Sequence, residues 1–110
     1  MNDLESYMNE FIADAANGCH AAKGWPNTGY GVSKVGIIAM TKILARDNPN
    51  VMINSVDPGY CRTDQNNNQG FVPVERGART PFLLATIGAG DDAQPFYSGI
   101  HWYEEKEIKW

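Results

Sequence analysis

The stretch Val51–Val56, VMINSV, sets the tightest constraint on what this chain can fold into. It is short, β-branched and mostly apolar without strict alternation, the mark of a strand buried on both faces. Such a strand needs neighbours on both edges. The tail from Phe96 to Trp110 offers one more, FYSGIHW, before a charged end. Two strands do not make a stable parallel sheet. The pattern is that of an α/β unit whose sheet is only partly encoded in these residues.

Helices account for much of the rest. Leu4, Tyr7, Met8, Phe11, Ile12 and Ala15 recur at helical spacing, with Asn2 and Glu5 placed as a capping box and Asn17-Gly18 as a stop. A second helix is predicted from about Tyr30 to Arg46. Its apolar residues lie on more than one side, and Gly31 and Gly36 permit close backbone approach. DNPN ends it, and a third helix fits Val74 to about Ile87 behind Pro73. The Gly, Pro and Asn of AAKGWPNTG mark a loop before the second helix, and DPGYCRTDQNNNQG is a long polar loop after the strand.

With 110 residues the chain has room for one domain. Its net charge of -4 and pI near 5.0, with no basic patch or tail, argue against nucleic-acid or anionic-membrane partners. EEKEIK, mixed in sign, reads as a solvated edge. Cys19 and Cys61 show neither a pairing pattern nor zinc spacing. The acidic N-terminus lacks a signal core and no apolar run is long enough to span a bilayer. Together these favour a cytoplasmic setting with reduced thiols.

The chemistry centres on GYGVSK. Tyr30 and Lys34 stand at i and i+4, on one helix face. A free tyrosine, with a pKa of about 10, is a poor acid near neutrality, and a neighbouring ammonium favours the phenolate. Such a tyrosine can protonate a carbonyl oxygen as hydride reaches the carbon. Taken alone, the spacing suits an aromatic ring shielding a lysine stem just as well. The context outweighs that bland reading. The helix feeds a buried strand, and the strand ends in DPGYCRTD, where open α/β sheets bind ligands.

In the order WPNTGYGVSKVG, INSVDPGYCRTD, VERGARTP and a tail ending in Trp110, the chain resembles the C-terminal portion of a short-chain dehydrogenase/reductase, most closely the monomeric carbonyl reductase branch. The resemblance implies an α/β fold, the C-terminal half of a Rossmann-type doubly wound parallel sheet. Residues 1–24 would be that branch's helical insertion, 25–64 the catalytic helix, strand and cofactor loop, and 65–110 the substrate loop, last helix and strand. It further implies Tyr30 as the acid that protonates a small carbonyl substrate. Lys34 would favour the ionised tyrosine and hold the nicotinamide ribose of NADPH. Pro58 and Gly59 would form the turn beside the nicotinamide. The Cys61 backbone and Thr63 would contact the cofactor, and Tyr60 would line the substrate pocket. The insertion implies a monomer.

Two departures stand out. Gln65, Asn66, Asn67 and Asn68 follow Thr63-Asp64 where the branch is commonly apolar, which suggests a more polar pocket rim or a mobile lid. The glycine-rich loop and catalytic serine of the family also have no counterpart in these residues. Ser33 and Ser6 do not stand in for that serine by motif, so the 110 residues alone are expected to be inactive. A non-catalytic truncated product or interaction module is the alternative of another class. An unrelated small α/β binding protein, with YGVSK accidental, is the third reading. Cys61 is expected to be a small backbone-contact residue, and His20 and His101 structural, with no metal. Asp91-Asp92 reads as a solvated turn, and Trp102, Tyr103 and Trp110 as packing aromatics.

Overall fold

The computed structural model describes residues 1–87 and 96–109. Asp91-Asp92 and Trp110 therefore lie outside the described residues. Helix α1 runs over Asn2–Ala16 and helix α2 over Gly29–Asp47. Strand β1 (Ser55–Asp57) follows, then a 3-10 turn (Asp64–Asn66) and helices α3 (Val74–Gly77) and α4 (Arg79–Thr86). Strands β2 (His101–Tyr103) and β3 (Lys106–Ile108) complete the order.

The sheet is small and mixed. Strand β1 pairs in parallel with β2, with Val56 opposite Trp102, and β2 pairs antiparallel with β3. A parallel pair needs a crossover, and the segment carrying α3 and α4 supplies it. On its other edge β1 has no strand among the described residues. Ser55 and Val56 are half-buried and Asp57 is exposed, so the burial on both faces expected of this strand is not reached.

Regular strand is also shorter than the apolar run, and before it side chains share the pairing with the backbone bond from the Gly99 amide to the Ile53 carbonyl. Ser98 Oγ accepts from the Ile53 amide, Asn54 Nδ2 donates to the Tyr97 carbonyl, and Asn54 Oδ1 accepts from the Ile100 amide. FYSGIHW is correspondingly strand only from His101. The charged end is a solvated edge, as read, and it is an ordered one. Glu104 and Glu105 take φ of 46° and 61°, the double left-handed turn that closes a tight hairpin, and residues 106–108 return as β3. Thr80 Oγ1 accepts from the Glu105 amide, and Arg76 pairs with Glu104.

The first helix starts one residue earlier than its cap signal implies. Asn2 is inside it, Met1 is the cap residue without a side-chain bond, and no capping box forms. Asn17 and Gly18, the latter at φ 70°, end it as expected. Its apolar face is only partly covered, with Tyr7 62% and Ile12 61% exposed, while the one buried residue is Asp14. The expected third helix is broken at Ala78. Pro81 has no N–H for the Gly77 carbonyl, and its ring crowds that same group, so α3 and α4 separate there.

Helix α2 matches its expected span. Thr28 caps it, its hydroxyl accepting from the Gly31 amide at 3.0 Å. Gly36 gives the close approach read from the sequence, since a Cβ there would lie 3.1 Å from Met8 Sδ on α1. Replacing Thr28 by alanine is expected to cost about 1 kcal/mol of stability, read as a lower urea midpoint at unchanged slope.

Packing is thin for this chain mass. The buried apolar residues are Val32 and Trp102 among those described, and the chain exposes 7993 Å². A compact monomer of this mass exposes about 6,100 Å². Trp102 forms the better-built centre, edge-on to Tyr97 at 5.6 Å with its Nε1 donating to Asn54 Oδ1.

Candidate functional site

Tyr30 is the second residue of α2, so the Thr28 cap fixes the turn that carries it. One helical turn on, Lys34 holds its Nζ 5.4 Å from the centroid of the Tyr30 ring. Both line a groove of about 400 Å³ between α2 and the sheet. Ile37 and Ile38 form its helix wall, and Ser55, Val56, Asp57, Pro58 and His101 form the rest. Tyr30 is 76% exposed, so its ring is presented to whatever enters.

The turn after β1 is built by its own residues. Asp57 Oδ1 accepts from the Gly59 amide at 2.8 Å, and Gly59 takes φ of 79°, which suits a residue without a side chain. Pro58 thereby stands at the groove wall. Tyr60 follows, half-exposed, with its ring edge-on to Phe71 at 5.7 Å. Phe71 is 84% exposed. No local pattern marks it, because its aromatic partner lies eleven residues earlier, outside any helical or strand period.

Cys61 sits behind this surface. Its amide bonds the Gly59 carbonyl, its carbonyl accepts from Asn66 Nδ2 at 2.7 Å, and its thiol donates to the Pro58 carbonyl. Thr63 caps the 3-10 turn that follows, and Asn66 reaches back to the Thr63 amide. The asparagine run supplies the turn chemistry of this loop. Asn66 is folded inward, and Asn67 and Asn68 adopt φ of 53° and 59°, which asparagine tolerates.

The structure brings Tyr30, Lys34 and Pro58 to one groove, while Cys61 and Thr63 brace the loop beside it. His101 is an addition, its Nδ1 2.9 Å from Ser55 Oγ across the parallel pair. No periodic pattern marks that pairing, which depends on register. Among the described residues no group of histidine, cysteine or carboxylate side chains is arranged to hold a metal, and no helix is long and apolar enough to cross a membrane.

A helix bearing an exposed tyrosine and lysine thus stands over a parallel strand that ends in a Pro-Gly turn, the arrangement of an incomplete α/β unit. No family model matches the chain. It is 40% identical over 91 residues to carbonyl reductase (NADPH) 3 of Rattus norvegicus, covering 77% of this chain and 33% of that protein. It is 43% identical over 86 residues to (+)-neomenthol dehydrogenase of Capsicum annuum, covering 76% and 27%. Salutaridine reductase from Papaver somniferum superposes with a TM-score of 0.71 at 29% identity, covering 90% of this chain and 33% of that one. In sequence and fold the chain is thus similar to part of the short-chain dehydrogenases/reductases, among relatives named as carbonyl reductases. It spans about a third of the length of those relatives.

Proposed function

We propose that the protein carrying these residues is an NADPH-dependent carbonyl reductase, with Tyr30 as proton donor and Lys34 beside it. The observation that carries this reading is the Tyr30–Lys34 pair lining one groove with Pro58, at the carboxyl end of β1. The names of the relatives support NADPH as reductant.

The residues present fit one end of such a nucleotide. Lys34 would offer an ammonium to sugar hydroxyls, and Pro58, held at the groove wall by the Gly59 turn, would stand beside the planar ring. No glycine-rich phosphate loop occurs in these 110 residues, so the pyrophosphate end would be held elsewhere. When bound, the nicotinamide supplies hydride.

The chain's own work is proton delivery and placement. The Tyr30 hydroxyl donates its proton to the carbonyl oxygen as negative charge develops there. Lys34, close to the ring, stabilises the charge that the phenol takes on in turn. Tyr60 and Phe71 offer an aromatic wall to a substrate approaching over the Pro58 turn. A cytoplasmic monomer is the setting we propose. The 110 residues by themselves, lacking a phosphate cradle, are proposed to be inactive.

The test uses the protein at its native length, with NADPH consumption followed against ketones, aldehydes and quinones. Turnover with at least one class, and weaker turnover with NADH, is the expected result. No consumption with any of them would leave the non-catalytic module as the better account.

A further inference from the structure

Asp14 lies on α1 in a place where a charge has no business by burial alone, at 4% exposure. Every part of it is used. Its Oδ1 accepts from Lys23 Nζ at 2.6 Å, and its Oδ2 accepts from Trp25 Nε1 at 3.0 Å. Cys19 donates its amide to the Asp14 carbonyl at 2.9 Å, and its thiol points at Oδ1 from 3.7 Å. The Lys23 hydrogen bond, foremost, holds the carboxyl below its ordinary value of 3.8, and the same bond raises Lys23 above 10.5. Both are charged at neutral pH.

The carboxylate therefore fastens the loop between the helices onto α1. Trp25, gripped through its N–H, lies edge-on to Phe11 at 5.4 Å and lines an apolar groove with Val32 and Val35 of α2. Beyond it, Asn27 Oδ1 meets His20 Nε2 at 2.9 Å, and Thr28 caps α2. Tyr30 comes five residues after Trp25, between Gly29 and Gly31. Glycines give a helix start the least intrinsic order, so this turn takes its frame from what precedes it.

We propose that Asp14 is a positioning residue for Tyr30, acting through Trp25 and the loop that leads to the Thr28 cap. The inference rests on the reading of Tyr30 as proton donor, and its mechanical half stands apart from that reading. A buried carboxylate serving only the stability of α1 has no need to grip the residue that leads into the catalytic turn.

The experiment compares Asp14→Ala, Asp14→Asn, Trp25→Phe and Tyr30→Phe in the native-length protein. Asp14→Ala is expected to lower kcat about tenfold or more, because small misplacements of a reacting group are costly, with the KM for substrate little changed. Asp14→Asn should recover much of that loss, since its amide oxygen still accepts from Trp25. Trp25→Phe keeps the ring, removes the bond and should lower kcat like Asp14→Ala; it decides the matter if Asp14→Ala does not fold. Amide exchange over residues 29–34 should quicken in Asp14→Ala and Trp25→Phe. A lower melting temperature with wild-type kcat and wild-type exchange at 29–34 would overturn the proposal. Should Tyr30→Phe remain active, the proton-donor reading fails, and exchange at 29–34 alone then decides whether Asp14 holds that turn.

Discussion

Tyr30→Phe in the native-length protein is expected to lower kcat for carbonyl reduction about 10³-fold, the range removed with a general acid. The fold should be indifferent to the change. Tyr30 is 76% exposed and its ring stays to meet Lys34, so the melting temperature is expected to remain that of the wild type. That separation makes the measurement decisive. A structural tyrosine would give the opposite pattern, with stability lost and turnover kept. Lys34→Met should follow Tyr30→Phe in direction, and the double variant should be little worse than Tyr30→Phe alone, since two residues acting as one unit are not additive. Full activity in Tyr30→Phe would end the proton-donor reading, whatever the matches to reductases suggest.

What the sequence disclosed here, and what it hid, divides along range. Periodicity found α2 almost to the residue, because its apolar positions and the DNPN stop are local signals. It found the ring and charge of the site for the same reason, as i and i+4 is a local relation. Pairings across the chain left no such trace. Asn54 reaches residues 97 and 100, His101 meets Ser55, and Asp14 is paired nine and eleven residues away. Each places a polar group where an apolar pattern predicted none. One miss was legible after all. Pro81 sits where it must break a helix begun at Val74, whereas the Glu104-Glu105 hairpin turn carries none of the Asn-Gly chemistry that would announce it.

The uncovered surface has the same origin. A strand with one bare edge and helices with exposed Tyr7, Ile12 and Val35 are what a segment shows when its sheet neighbours are not among the described residues. The chain spans about a third of the length of the relatives it matches. The local site is built nonetheless. Caps, turns and the Asp14 grip hold Tyr30, Lys34 and the Pro58 turn by contacts within 110 residues.

Gly70→Ala is the sharpest test of that claim for the loop side of the site. Gly70 is buried, and a Cβ there would lie 2.1 Å from the Cys61 carbonyl carbon and 2.3 Å from the Arg62 amide nitrogen. These are backbone atoms, so no side-chain rotation relieves the overlap. They also belong to the clasp in which Arg62 donates to the Val72 carbonyl and Val72 donates to the Tyr60 carbonyl. Alanine must push the two segments apart and break that pair of bonds, at a cost of about 3 kcal/mol or more. Phe71, the next residue, then loses its set position against Tyr60. The expected result is a large fall in the urea midpoint together with a raised substrate KM, the second because the aromatic wall has moved. Gly77→Ala serves as the comparison. Its Cβ would meet the Cys61 thiol at 2.2 Å, a side-chain atom that can turn away, so its effect should be smaller. Equal losses in the two variants would mean that the clasp yields as easily as a side chain, and that it does not fix the aromatic wall of Tyr60 and Phe71.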